Sequence, residues 1–151
     1  MKVVHSLLVQ EDQILLLFKP SRQKWFLPGG KAEFGENIIQ TGCREFFEET
    51  GLELKNAELA AVTTVVVEQD SSPTEWMLYT VRGTDSAGCL MAENREGSLA
   101  WHSVSDIDSL PMFEGDRFII QQILKSRVPV VSTQFYTSSY ELIKIVSGHN
   151  E

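Results

Sequence analysis

The chain has few cysteines. Cys43 and Cys89 are the only two in 151 residues and lie far apart, which excludes a disulfide framework or a zinc knuckle and fits reduced thiols in a cytoplasmic protein. It also lacks a long hydrophobic run. Residues 1–9 hold one lysine and a short apolar stretch broken by His5, too brief for a signal peptide or a membrane span, so they read as a first strand. Basic residues are scarce, 13 against 21 acidic ones for a net charge of -8, which opposes binding to long nucleic acid or an anionic membrane surface. A polyanionic substrate would need cations recruited locally. No internal repeat, linker or low-complexity segment stands out, and residues 1–151 are expected to form one domain able to bury roughly two thirds of its unfolded surface. His5, His102 and His149 have no metal-ligand spacing and read as core or surface residues, and no Ser/His/Asp arrangement is present.

What is present begins with sheet. Residues 3–9 and 13–18 are β-prone runs separated by Gln10, Glu11 and Asp12, a spacing that suits a tight antiparallel hairpin. Pro28, Gly29 and Gly30 then predict a loop leading to a helix over residues 37–50, with Gly51 as its left-handed C-terminal cap. Gly42 costs that helix about 1 kcal/mol relative to Ala, and close packing is one reason to keep it. Strands are expected at 59–68 and 76–82 around a turn at 69–73, and a short one at 99–102. A helical apolar stripe follows over 118–124, and a terminal hairpin over 134–136 and 141–146. Strands before, between and after two helices predict an α+β fold, an α/β/α sandwich with a central mixed β-sheet and flanking helices.

The chemistry concentrates on the first helix. Glu45, Glu48 and Glu49 stand at i, i+3 and i+4, so three carboxylates share one face. Left alone they repel by a few tenths of a kcal/mol per pair, whereas an oxygen-seeking Mg²⁺ turns that repulsion into coordination. Arg44 can fork onto Glu48 one turn along or back onto Glu36, and the glycine loop lets a backbone carbonyl approach as a further hard ligand.

Residues 30–52 contain Gly30, Glu36, Arg44, Glu45, Glu48, Glu49 and Gly51 at fixed spacings, with apolar Phe46 and Leu52 between and after them. This pattern matches the Nudix box at every specified position. At about 6% usage per residue type, chance would produce it in fewer than about one chain in a million. The resemblance implies a hydrolase of nucleoside diphosphates linked to another moiety. By position it assigns Glu45, Glu48, Glu49 and the Gly30 carbonyl to Mg²⁺ (or Mn²⁺), with Glu36 and Arg44 orienting the helix face. Glu48 or Glu49 would accept the proton of the attacking water.

Residues 95–101 and 110–116 further resemble the MutT-like subgroup that sanitises oxidised purine nucleotides such as 8-oxo-dGTP. That resemblance implies Phe113 in a base pocket, Asp116 at the purine edge, Trp76 as another pocket residue and Glu96 as an extra acidic group near the metals. Against it, Phe113 can be core, Asp116 a helix cap and Glu96 a solvated loop residue. Lys19, Arg22 and Lys24 precede the box and could meet phosphates, the alternative for each being a plain surface loop. The expected partner is a small nucleotide; ADP-ribose, a dinucleoside polyphosphate, a capped RNA end or a non-catalytic nucleotide-sensing role are the alternatives.

Overall fold

The computed structural model describes residues 1–148, and His149 lies outside the described residues. Strand β1 (Lys2–Gln10) sends Val4 and Leu8 to one face and Val3, Leu7 and Val9 to the other, as alternation requires. It turns at Glu11 and Asp12, both at positive φ (51° and 61°), the geometry of a two-residue hairpin, into β2 (Gln13–Lys19). Short strands β3 (Lys24–Phe26) and β4 (Gly29–Lys31) precede helix α1 (Ile38–Thr50). Then come β5 (Leu52–Lys55), β6 (Glu58–Val67), β7 (Thr74–Gly83), β8 (Asp85–Gly88), β9 (Glu93–Asn94) and β10 (Gly97–Ser103), followed by helix α2 (Glu114–Lys125), β11 (Val130–Tyr136) and β12 (Leu142–Ser147).

The main sheet runs β12-β11-β6-β7-β1-β2-β10-β9, with β3 on β2 and β4 on β1. It is mixed, because β1 lies parallel to β7 and β6 parallel to β11 while the other pairs are antiparallel. Each face is closed by its own helix and its own core. Phe46 of α1 packs with Val4, Leu8, Leu15 and Val81 on one side; Ile119, Ile120 and Ile123 of α2 pack with Leu7, Leu16, Val65 and Leu78 on the other. This is the expected sandwich of helix, mixed sheet and helix.

Three local differences from the sequence reading have physical causes. The segment expected as a loop at Gly29 and Gly30 is a strand, paired with β1 through Val4↔Gly30 and His5↔Gly29. A Cβ on Gly29 would collide with the Val4 carbonyl, so the glycine serves a close backbone approach and not a turn. Helix α2 begins at Glu114, four residues before its apolar stripe, and its N-cap is Phe113 with no side-chain cap bond; Asp116 lies inside the first turn and caps nothing. The β5–β8 pair was not expected, because Asp85, Ser86, Ala87 and Gly88 have little strand propensity and form a strand only by pairing with Leu52–Lys55.

Candidate active site

Helix α1 is fixed at both ends. Asn37 and Gln40 form a reciprocal capping box, the Asn37 side chain accepting from Gln40 N at 2.8 Å and Asn37 N donating to Gln40 Oε1 at 2.9 Å. Gly51 closes the other end at φ 82°, its N–H donating to Phe47 O at 2.9 Å. Mid-helix, a Cβ on Gly42 would stand 3.0 Å from Val81 Cγ2, and Ser6 Oγ donates to the Gly42 carbonyl at 2.9 Å. Close packing against β1 and β7 therefore accounts for this glycine.

On the outer face, Arg44 contacts both partners suggested by its position, Glu36 and Glu48, and two more carboxylates, Glu45 and Glu33, the last at 3.3 Å from Nε. Its Nε donates to Glu36 Oε2 at 2.6 Å and Nη2 to Glu36 Oε1 at 3.0 Å, a two-pronged contact; Nη1 reaches Glu45 at 3.0 Å and Glu48 at 3.2 Å. Nη2 also donates to the Lys31 carbonyl at 3.1 Å, tying the helix to the end of β4. With these bonds the Glu36 carboxyl is held down to about 2, first by Arg44, then by the Glu33 backbone, with Thr41 Oγ1 also donating to it.

Glu49 faces the opposite situation. Burial, then Glu96 and Glu45, push its carboxyl up to about 8, opposed by the Gly29 N–H, which donates to Glu49 Oε2 at 3.2 Å. A Cβ on Gly30 would sit 2.5 Å from Glu45 Oε1 and 2.6 Å from Oε2, so the β4 backbone lies directly against that carboxylate. Gly29, Gly30, Glu45, Glu48, Glu49, Asn94, Arg95 and Glu96 line one open cleft of about 620 Å³. Gly30, Glu45, Glu48 and Glu49, the ligands expected from residues 30–52, and the distant Glu96 thus line one cleft, while Glu36, Arg44 and Gly51 lie outside its lining.

A second cleft of about 630 Å³ adjoins it, and Asn94, Arg95 and Glu96 line both. Phe26 and Phe113 meet edge-to-face in the second cleft, 5.8 Å between centroids. Cations surround the two rings: Lys19 Nζ is 4.7 Å from the Phe26 centroid, Lys24 Nζ 5.1 Å and Arg22 Cζ 6.0 Å from that of Phe113. Phe113 is thus a cleft residue, only partly buried. Asp116 and Trp76 do not line this cleft. Asp116 is partly buried on the first turn of α2, where burial raises its carboxyl to about 6 against the pull of Lys19. Trp76 lies on β7, packed against the α2-side core, and its Nε1 donates to the Tyr140 hydroxyl at 3.3 Å. Sequence reasoning missed Asn94 and Phe26 as cleft residues; His5, read as core or surface, lines neither cleft, and burial and then Lys19 hold its imidazole at about 4.

Residues 2–123 match the family model described as NUDIX domain. The chain belongs to the Nudix family. As a Nudix hydrolase it is 38% identical over 143 residues to the "Uncharacterized Nudix hydrolase YvcI" of Bacillus subtilis (strain 168), covering 94% of this chain and 90% of that protein. A MutT protein structure from Bacillus halodurans superposes with a TM-score of 0.93 over 99% of both chains at 36% identity. A "Putative 8-oxo-dGTP diphosphatase" of Bacillus subtilis (strain 168) is 32% identical over 105 residues, 69% of this chain and 64% of that one.

Nudix hydrolases generally use divalent cations, and the donors in this Nudix site fit one. The acidic cleft offers only oxygen ligands, which suits Mg²⁺ or Mn²⁺ over softer metals. Glu49, crowded by Glu45 and Glu96, is the group that a neighbouring cation would relieve. Among the described residues no three His, Cys, Asp or Glu side chains stand close enough together to hold a metal ion as they are, and the Arg44 guanidinium bridges Glu45 and Glu48. Cys43 and Cys89 are free thiols, and no helix among the described residues is long and apolar enough to cross a membrane.

Proposed function

We propose that this Nudix hydrolase is a Mg²⁺-dependent, cytoplasmic nucleoside triphosphate pyrophosphohydrolase whose preferred substrate is an oxidised purine nucleotide such as 8-oxo-dGTP. It would release the monophosphate and pyrophosphate, with residues 1–151 acting as one domain. The observation that carries this reading is the pair of adjoining clefts with a common 94–96 wall, one acidic and one lined by aromatic and cationic side chains. The relative described as a putative 8-oxo-dGTP diphosphatase supports the choice of base. Glu45, Glu48, Glu49, the Gly30 carbonyl and Glu96 would hold the cation, which when bound neutralises polyphosphate charge and favours displacement at phosphorus.

In this reading Arg44 and Glu36 hold the helix face in register, and Glu48 or Glu49 takes the proton from the attacking water. Phe113 and Phe26 receive the base, and Arg22, Lys24 and Lys19 neutralise phosphate oxygens outside the acidic cleft. Asp116 and Trp76 would act from behind the cleft and not as its lining. The cations around the phenylalanine pair also favour a second reading, a dinucleoside polyphosphate whose far half is itself anionic. Phosphate and pyrophosphate release with Mg²⁺ over 8-oxo-dGTP, dGTP, ADP-ribose, diadenosine polyphosphates and capped RNA tests both. Preference for 8-oxo-dGTP over dGTP supports the first reading, and turnover of ADP-ribose alone defeats both.

A further inference from the structure

The wall between the two clefts is held by one side chain. Asn94 Nδ2 donates to the Glu49 carbonyl at 2.9 Å, while its Oδ1 accepts from Glu96 N at 2.7 Å and Gly97 N at 3.1 Å. Because all three partners are backbone groups with fixed donor or acceptor character, the orientation of the amide is settled. An aspartate would present only acceptors to the Glu49 carbonyl, and an alanine would release all three groups. The rest of the segment is pinned nearby: Met91 N donates to Thr50 O at 2.9 Å, and a Cβ on Gly97 would collide with the Phe18 carbonyl. Glu96 therefore stands on a loop tied to the last turn of α1 by the Met91 backbone and, next to Glu96 itself, by the Asn94 side chain.

We propose that Asn94 is a positioning residue that registers the Glu96 carboxylate against Glu49 across the acidic cleft. This rests on the metal-centred reading above. Asn94 touches no reacting atom; it sets the distance between a helix-borne and a loop-borne carboxylate, and outer groups of this kind typically carry 10-fold to 100-fold of metal affinity or activity.

The test is a double-mutant cycle on the full chain, reading Mn²⁺ affinity by electron paramagnetic resonance, kcat and KM for one nucleotide, and the thermal midpoint in EDTA. Asn94→Ala is expected to weaken Mn²⁺ binding by ~10-fold or more and to lower kcat, with KM within about 2-fold. In an Glu96→Gln background the same change should add nothing further, because Asn94 acts through Glu96. Asn94→Ser, keeping a short acceptor for the Glu96 amide, should fall between wild type and Asn94→Ala, and it serves if the alanine variant folds poorly. Wild-type Mn²⁺ affinity in both Asn94 variants, or strictly additive losses with Glu96→Gln, overturns the proposal. Glu49→Gln separates it from its premise: if that variant binds Mn²⁺ like wild type, the metal-centred reading fails instead.

Discussion

Gly29 and Gly30 are neighbours on β4, yet replacing each by alanine should break different things. At Gly30 the added Cβ would lie 2.5–2.6 Å from the Glu45 carboxylate oxygens, about 1 Å inside contact distance. A carboxylate at the end of a flexible side chain can swing away, so folding loses little and gains about 0.4–1 kcal/mol from a stiffer unfolded chain. Catalysis cannot accommodate the swing as easily. A displacement of about 1 Å at a reacting site costs on the order of 100-fold, or ~2.7 kcal/mol in kcat/KM. At Gly29 the same methyl would collide with the Val4 carbonyl and lie 2.9 Å from His5 Cα, and this backbone cannot swing. Overpacking there costs about 1–3 kcal/mol, lowering the thermal midpoint by roughly 2–4 °C per kcal/mol at this chain length. Differential scanning fluorimetry and steady-state kinetics on the two variants read both quantities. A Gly30→Ala enzyme with wild-type kcat/KM would refute the placement of Glu45 in the working site.

Three further outcomes follow from the same geometry. His5, held at about 4 against 6.5 when unfolded, stays neutral in the folded chain, so its contribution is complete above pH 6.5 and is lost as pH falls toward 4, by up to about 1.4 kcal/mol per pH unit. Asp116, raised to about 6 from 3.8, acts in the opposite direction, its destabilisation growing as pH rises through that window. Urea melts at pH 7 and pH 5 should show a smaller loss on acidification for His5→Gln and a larger one for Asp116→Asn, and equal losses in all three proteins would contradict the assignment. EDTA should abolish turnover while far-ultraviolet circular dichroism stays native, because Arg44 already bridges Glu36, Glu45 and Glu48; collapse of the fold in EDTA would contradict this. Phe113→Ala should raise nucleotide KM by about 2- to 10-fold, the worth of one aromatic contact, and an unchanged KM would remove the ring from the binding cleft.

Much of the site was legible because its logic is local. The i, i+3, i+4 spacing of Glu45, Glu48 and Glu49 brings them to one helix face in any fold, and Gly51 caps that helix through its own backbone conformation. The strands around β6 and β7 were readable from their valines and threonines. Partners set by tertiary contact were less accessible. Asn94 has no motif spacing and meets Glu49 only because the chain crosses the end of α1, and Phe26 joins Phe113 only after β3 docks on β2. The Gly29–Gly30 pair was misread as a loop because glycine permits turns and tight strand contacts alike.

The division of the interior into two cores on opposite faces of one sheet also bears on how such a chain can diversify. The Phe46 cluster stabilises the helix that carries Glu45, Glu48 and Glu49, whereas the Ile119, Ile120 and Ile123 cluster underlies the helix whose N-cap is Phe113. If the second cleft receives the base as proposed, substitutions that repack the second core would reshape substrate selection and leave the acidic cleft in place. The 94–96 wall is the exception, because its residues line both clefts and a change there would reach both.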